Sequence, residues 1–206
     1  MKKPLILLAC LMLCSCLSSA QVLKMLTSYR QLHSCDLLFC LSPEGNAITD
    51  VTQGANGLQI DHVGIYHKGK VIEAIPKQGV CLTPIDSFMA RNQHLIIIGR
   101  VSVPFSKRKT IQRAKQCLGL PYDSLYIPDL KAVYCSELVQ HAFCNRQGER
   151  LFKPIGMTFR DSTGEIPSYW KNFYRQFGMQ VPEGVEGSNP GELSRRPCMK
   201  LLYKTF

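Results

Sequence analysis

Two short strands joined by a tight turn most strongly constrain how this chain folds. The sequence DHVGIY covers residues 61–66, VIEAI covers residues 71–75, and His67-Lys68-Gly69-Lys70 links them with a glycine in the turn. Runs of strand-forming residues separated by a short loop that contains glycine are typical of a β-hairpin. The chain is therefore predicted to contain an antiparallel sheet built around this hairpin.

Apolar runs on either side of the hairpin predict further strands. Residues 36–40 (DLLFC) predict a brief strand, and residues 42–57 are polar and predict a loop. LIIIGRVSV, residues 95–103, is almost continuously apolar and predicts a central strand buried on both faces. Residues 199–206 are expected to return as an edge strand or to lie along the surface.

Helical periodicity recurs along the chain. Ser106 is a suitable cap for a basic helix, and Gly119 is suited to end it. The predicted helices cover residues 22–33, 84–91, 107–118, 135–146 and 167–178. The stretch 181–197, rich in proline and glycine, is predicted to be extended. Helices that alternate with strands adjacent in sequence predict an α+β fold around an antiparallel sheet.

The first twenty residues differ from the rest and indicate export. MKK is a positive n-region, PLILLACLMLC an apolar h-region, and SSA a small-residue exit, as in a bacterial secretory signal. Two processing routes fit this segment: residues 1–20 as a signal peptide, or a lipoprotein signal that ends before Cys16, with the lipid on Cys16. We favour the second route, and we expect residues 21–206 to form a single domain. The protein is then periplasmic or a lipoprotein anchored to a bacterial membrane.

Composition and charge limit the class of protein and the partners that it can bind. The chain is 45% hydrophobic and 19% charged, which is typical of a globular domain. Its formal net charge of +10 suits anionic partners such as cell-wall polymers or lipid headgroups. The basic residues are mostly dispersed and no nucleic-acid motif accompanies them, so we expect no nucleic-acid binding.

The cysteines leave an odd number in the mature chain. Three of the ten lie in the signal region, and seven remain. At least one thiol therefore stays unpaired within a monomer. The sequence contains no CxxC motif, so a zinc ribbon or a thioredoxin motif is not expected, and we predict no metal site.

Cys135 is the candidate nucleophile. In AVYCSELVQHAF, residues 132–143, it comes at the start of a predicted helix. The free amides and the dipole at a helix N-terminus favour negative charge and hence the thiolate form. A thiolate is the nucleophile of a cysteine hydrolase. The alternative is that Cys135 is a small buried hydrophobic residue, as most free cysteines are.

His62 is the candidate base, and Glu73 is the candidate group that orients it. A turn centred near residues 67–68 pairs positions whose numbers total about 135, which places His62 beside Glu73 on one face of the hairpin. A carboxylate that orients an imidazole facing a thiol follows the logic of a catalytic triad. The alternative is a histidine of the core beside a glutamate on the surface of an edge strand. The other histidines have no such placement: His33, His67, His94 and His141.

Several motifs together resemble a known family. IDHVGIY, GKVIEA, PYD, YCSELV and the tail PEGxxGxNPxxLS are similar to the permuted papain-like amidases of the YaeF/YiiX type, within the NlpC-type cysteine peptidase superfamily. The resemblance extends from Asp36 to about residue 197. The histidine and the glutamate precede the cysteine here, which is the order expected after circular permutation.

The resemblance implies a fold and a set of site residues. It implies a circularly permuted papain-like fold in which the nucleophile helix packs on an antiparallel sheet. It also implies that Cys135 is the nucleophile, His62 the base and Glu73 the third polar group, with no metal or organic cofactor. Two positions depart from the family pattern: Ser34-Cys35-Asp36 stands where Gly-Asp is usual, and Leu130 stands where a more polar residue is expected.

The expected function is that of a cysteine amidase or peptidase acting on amide bonds of peptidoglycan peptides in the bacterial envelope. One alternative is a lipid-directed N-acyl hydrolase or acyltransferase, with the aromatic residues of 167–177 lining an acyl channel. Another is an envelope-binding protein without catalysis. A third is that Cys135 forms a disulfide with Cys117 or Cys144, although a continuous helix would exclude Cys144. The sequence leaves the oligomeric state open.

Overall fold

A six-stranded antiparallel sheet carries the elements of the site. The computed structural model describes residues 31–93, 95–129 and 131–202. The strands of this sheet are β1 Leu37–Leu41, β2 Ile60–His67, β3 Lys70–Ile75, β4 Gly79–Pro84, β5 Ile96–Val101 and β8 Met199–Leu202, in the spatial order β4-β3-β2-β1-β5-β8. A separate pair is formed by β6 Ile155–Gly156 and β7 Glu186–Gly187. The described residues from His33 onward belong to one compact unit.

Five α-helices and one 3₁₀ turn at Ala55–Gly57 complete the described secondary structure. The helices are α1 Ile85–Arg91, α2 Lys107–Gln116, α3 Cys135–Ala142, α4 Ser168–Arg175 and α5 Pro190–Ser194. Leu138 and Val139 of α3 are fully buried in the main core together with Leu37 and Phe39 of β1. The nucleophile helix of the sequence prediction is therefore packed against the sheet.

The predicted hairpin is confirmed, but its register differs by two residues. Lys68 and Gly69 form the turn with φ values of 48° and 78°. Two consecutive residues with positive φ are typical of a type I′ turn, which matches the twist of the flanking strands. Tyr66 lies opposite Val71, and the registered pairs total 137 rather than about 135. A shift of two residues keeps every side chain on its predicted face.

The central strand is β1 rather than the predicted segment 95–103. Residues 37–40 of β1 are all buried between β2 and β5. β5 is shorter than predicted and lies one strand from the edge beside the short β8. Its residues 96–98 are only partly buried. Of the two alternatives for the C-terminal segment, the edge strand is correct, since β8 pairs with β5.

Two elements in segments rich in glycine and proline were not predicted. β4 begins at Gly79, whose positive φ of 68° turns the chain back along β3. α5 lies within the tail that was predicted to be extended. The side chain of Asn189 caps α5 by accepting a 2.7 Å hydrogen bond from the Glu192 amide, and Pro190 occupies the first turn. Asn followed by Pro is typical of a helix start, but the neighbouring glycines and prolines favoured the prediction of an extended segment.

The remaining helix predictions are correct in place and differ at their ends. α2 is capped by the side chain of Ser106, as predicted, and the chain leaves it through Gly119. α3 ends at Ala142 rather than at residue 146. There Nε of Arg113 donates a 2.8 Å hydrogen bond to the Ala142 carbonyl, one of the free carbonyls of the helix end.

Some sequence predictions fall outside the described residues. These are the signal peptide, the lipidation site Cys16, most of the predicted helix 22–33, His94 and Leu130. Within the described ranges, no helix combines the length and the apolar character needed to cross a membrane.

Candidate active site

The hairpin brings His62 and Glu73 into direct contact. Nε2 of His62 lies 2.7 Å from Oε2 of Glu73. His62 is on β2 and Glu73 is on β3, and the observed register makes them diagonal neighbours on one face rather than a directly opposite pair. Glu73 is fully buried, and the His62 side chain is 16% exposed. The predicted contact exists because a shift of two residues in strand register leaves both side chains on the same face of the hairpin.

Glu73 has two further partners that the sequence did not predict. The hydroxyl of Thr83 on β4 donates to Oε1 at 2.5 Å, and Nη2 of Arg91, at the end of α1, donates to Oε2 at 2.5 Å. Burial raises the pKa of Glu73, but the hydrogen bonds from His62, Arg91 and Thr83 outweigh it, and the pKa is lowered overall. The carboxylate therefore stays ionised. A buried glutamate requires partners, but finding them required knowing that β4 pairs with β3.

Cys135 is the first residue of α3 and is buried. Tyr134 precedes the helix in an extended conformation and gives no side-chain cap. Glu137, at the third helical position, is buried, and its Oε2 has no hydrogen-bond partner among the described residues. Burial and then the nearby charge of Asp123 raise the pKa of Glu137 to about 7.

Cys135 is close enough to His62 for its side chain to act on the pKa of the imidazole. Nε2 of His62 is engaged by Glu73, which leaves Nδ1 as the ring nitrogen available to the thiol. Burial lowers the pKa of His62, but the hydrogen bonds to Cys135 and Glu73 and the negative charges of these groups raise it to about 9. The structure thus brings all three predicted residues together, with a hydrogen bond between His62 and Glu73 and with Cys135 near the ring of His62.

Two tyrosines adjoin the thiol. Tyr122 and Tyr126 line the same pocket as Cys135, and burial followed by the charge of Cys135 raises the pKa of both. Asp123 holds their loop by accepting hydrogen bonds of 2.8 Å and 2.6 Å from the amides of Leu125 and Ile127. Tyr122 and Asp123 belong to the PYD motif, which the sequence singled out without assigning it a role.

The chain Cys135–His62–Glu73 lies between two cavities. A narrow pocket with a cavity volume of about 50 Å³, here called the thiol-side pocket, contacts Cys135 and is lined mainly by apolar and aromatic residues. An open groove with a volume of about 460 Å³, here called the histidine-side groove, contacts His62 and Arg91. Trp170 of α4 lines both cavities, so the aromatic helix predicted as an acyl-channel wall does border the site.

The alternative that Cys135 forms a disulfide is not borne out. All seven cysteines of the described residues, including Cys117, Cys135 and Cys144, are free. Across the described ranges, no three or more His, Cys, Asp or Glu residues are grouped closely enough to hold a metal ion.

The cysteine lies at the start of a helix that packs on an antiparallel sheet, and a hairpin earlier in the sequence carries the histidine and the glutamate. This arrangement defines a papain-like cysteine hydrolase in permuted order. The chain belongs to the family described as permuted papain-like amidase enzyme, YaeF/YiiX, C92 family, which matches residues 31–203. This is a family of cysteine peptidases and amidases, so the protein is an enzyme of the hydrolase class.

A solved structure has the same fold. The crystal structure of metalloprotein YiiX from Escherichia coli O157:H7 is similar with a TM-score of 0.69 and 23% sequence identity, over 85% of this chain and 99% of that chain. At this identity the likeness establishes the fold alone. A comparison with curated proteins finds no significant match.

Proposed function

We propose that this cysteine hydrolase is an amidase that uses Cys135 as nucleophile, His62 as base and acid, and Glu73 as the group that orients His62. The 2.7 Å hydrogen bond between His62 and Glu73, together with Cys135 close enough to shift the pKa of His62, carries the proposal. Nucleophile, base and orienting group within hydrogen-bond reach are the signature of an activated nucleophile. Glu73 fixes the proton on Nε2 and leaves Nδ1 to exchange protons with the thiol and the substrate.

The reaction proceeds through an acyl-enzyme. The thiolate attacks the amide carbonyl carbon, and the first backbone amides of α3, which have no partner within the helix, stabilise the oxyanion. The C–N bond breaks as Nδ1 of His62 gives its proton to the departing amine. Water then attacks the thioester, and His62 takes one proton from it. A C–O bond forms, and the thiol is released.

We propose amide bonds of cell-wall peptides in the bacterial envelope as the substrate. The predicted export signal and the net charge of +10 support this substrate, since the cell wall is an anionic polymer outside the cytoplasm. Lipidation at Cys16 would tether the enzyme to the membrane beside this substrate. Nucleic acid is not a proposed partner.

A second candidate substrate is a lipid or another N-acyl amide. The wall of the thiol-side pocket favours it, because Ile48, Val51, Met157, Phe159 and Trp170 give that wall an apolar surface suited to an acyl chain. Hydrolysis and transfer of the acyl group to another acceptor differ only in whether water or the acceptor attacks the thioester.

No step in this mechanism uses a metal. The similar E. coli structure is named a metalloprotein, but the described residues here include no group of three or more His, Cys, Asp or Glu able to hold a metal ion. Nε2 of His62 is already engaged by Glu73. The donor set of this site therefore does not fit a metal ion.

The test is a substrate panel read by mass spectrometry. Muropeptides and N-acyl amides of graded chain length are incubated with the wild type and with Cys135→Ala, and amine release and the mass of the intact protein are followed. We expect release of amine together with an acyl adduct on Cys135 in the wild type only. Turnover that survives in Cys135→Ala, or no adduct and no release with any amide, would refute the proposal.

A further inference from the structure

The direction of proton transfer assigns one cavity to each half of the substrate. This step rests on the proposed function. The histidine must reach the amine nitrogen as the C–N bond breaks, so the amine half lies on the side of His62. The acyl half then extends past Cys135 into the thiol-side pocket. The histidine-side groove is left for the leaving amine.

Arg91 is a charged group held at the wall of this groove. Its side chain is 40% exposed, and Nη2 is fixed by the 2.5 Å bond to Glu73. The guanidinium also lies over the ring of Phe88, 5.4 Å from its centroid. A guanidinium has five N–H donors, and Glu73 takes only one of them. The remaining donors belong to a charged, partly exposed group whose position is already set.

Among the described residues that line the groove, Asp61 is the one further charged group besides Arg91 and His62. Asp61 lines both cavities and therefore marks their junction near the reacting bond. It accepts a 2.7 Å hydrogen bond from Nδ2 of Asn46. Arg91 lines the histidine-side groove and not the thiol-side pocket, and no lysine of the described ranges lines the groove. An anion on the amine half would therefore meet a cation there, whereas an anion on the acyl half would not.

We propose that Arg91 binds a carboxylate on the leaving amine, so that the preferred substrates are amides whose amine half is an amino acid. Arg suits this role because its planar fork matches carboxylate geometry. The reaction is hydrolysis: water supplies the hydroxyl to the acyl carbonyl and the proton to the amine, and the products are a carboxylic acid and a free amino acid.

The test compares two substrates that differ only in this charge. N-acyl-alanine and N-acyl-alaninamide carry the same acyl group, chosen as the best of the substrate panel. We expect wild type to prefer the acid in kcat/KM by about 10-fold or more, the size typical of a hydrogen bond to a charged group. Arg91→Gln should bring the preference close to 1, and Arg91→Lys should retain part of it.

Two control variants separate substrate binding from effects on Glu73. Thr83→Val removes the hydrogen bond to the other carboxylate oxygen of Glu73, and Thr83 does not line the groove. This variant should therefore slow the hydrolysis of both substrates and keep the preference for the acid. Arg146→Gln removes the same charge from an exposed position that lines neither cavity, and it should leave the preference unchanged. Product inhibition gives a readout without any variant: alanine should inhibit the wild type more strongly than alaninamide.

The outcomes distinguish this inference from the proposed function. If neither amide is cleaved and no adduct forms on Cys135, the proposed function fails. Equal kcat/KM for the two amides in wild type, a preference that survives in Arg91→Gln, or equal inhibition by alanine and alaninamide would each overturn the assignment of Arg91. The amidase proposal would stand in those cases.

Discussion

Oγ1 of Thr83 donates a 2.5 Å hydrogen bond to Oε1 of Glu73, the carboxylate oxygen that His62 does not contact. The neighbouring strand β4 therefore supports the site from outside the hairpin. We expect Thr83→Val to lower the free energy of unfolding by about 1–3 kcal/mol, because it leaves a buried carboxylate oxygen without its partner. Urea denaturation measures this change. Thr83→Ser keeps the hydroxyl and should stay close to the wild type, and an equal loss in both variants would contradict the assigned role.

Replacement of the nucleophile should remove turnover and leave the fold intact. We expect Cys135→Ala to lower amide hydrolysis by at least about 1,000-fold, the scale seen when a catalytic nucleophile is deleted. Circular dichroism and thermal melting should match the wild type within error, because alanine suits a helical position. Cys117→Ala is the matched control, since it removes another buried thiol and should retain activity. Loss of activity in both variants would indicate a general defect.

Alkylation of Cys135 by iodoacetamide should depend on His62. The pKa of His62 is raised to about 9, so the ring stays positively charged at neutral pH and stabilises the thiolate. We expect alkylation of Cys135 at pH 6.5 to fall at least about tenfold in His62→Ala. Peptide mapping separates this thiol from Cys35, whose pKa burial raises to about 12 and which should stay unlabelled. Equal labelling of Cys135 in both proteins would refute this effect of His62.

The raised pKa of His62 also contributes to the stability of the fold near neutral pH, and this contribution is lost at alkaline pH. The folded pKa of His62 lies above its ordinary value of 6.5, so its contribution is complete below pH 6.5 and is lost as the pH rises towards about 9. We expect the difference in unfolding free energy between wild type and His62→Ala to shrink over this window. Chemical denaturation at a series of pH values measures it, and a difference that grows with pH would contradict the shift.

Glu73 should show the opposite dependence on pH. Its folded pKa is lowered, so its contribution to stability is present above the ordinary value of 4.5 and is lost as the pH falls through the folded value. We expect Glu73→Gln to destabilise the fold by about 3–5 kcal/mol near neutral pH, because it leaves His62 and Arg91 without their counter-charge. Acid titrations of wild type and variant should converge at low pH, and parallel curves would exclude this explanation.

Gly64, two residues after His62, is required by the packing around the hairpin. A Cβ at this position would lie 2.3 Å from Cγ1 of Val71 and 3.3 Å from Cε2 of Phe88. We expect Gly64→Ala to cost about 1–3 kcal/mol of unfolding free energy, as overpacking does in a filled core. Gly69→Ala is a useful comparison, because open space surrounds that Cβ and only the positive φ of 78° opposes it. A smaller loss at Gly64 than at Gly69 would contradict the packing argument.

The hairpin and the cysteine helix could be predicted because their signals are local. The glycine turn fixed the strand pairing, and alternation fixed the face shared by His62 and Glu73, even though the register was two residues off. The roles of Thr83 and Arg91 could not be predicted, because they depend on β4 lying beside β3. β5 was predicted as the central strand because an apolar run does not reveal its position in a sheet.

The chain order of the site has a consequence for how the enzyme is made. His62 and Glu73 lie eleven residues apart on one hairpin, whereas Cys135 follows much later, at the start of α3. During synthesis, the acid–base pair can therefore form before the nucleophile has left the ribosome. Contacts between residues close in sequence form early, and contacts between distant ones wait for the chain to dock. The rate at which Cys135 becomes reactive during refolding would therefore measure how fast α3 docks on the sheet.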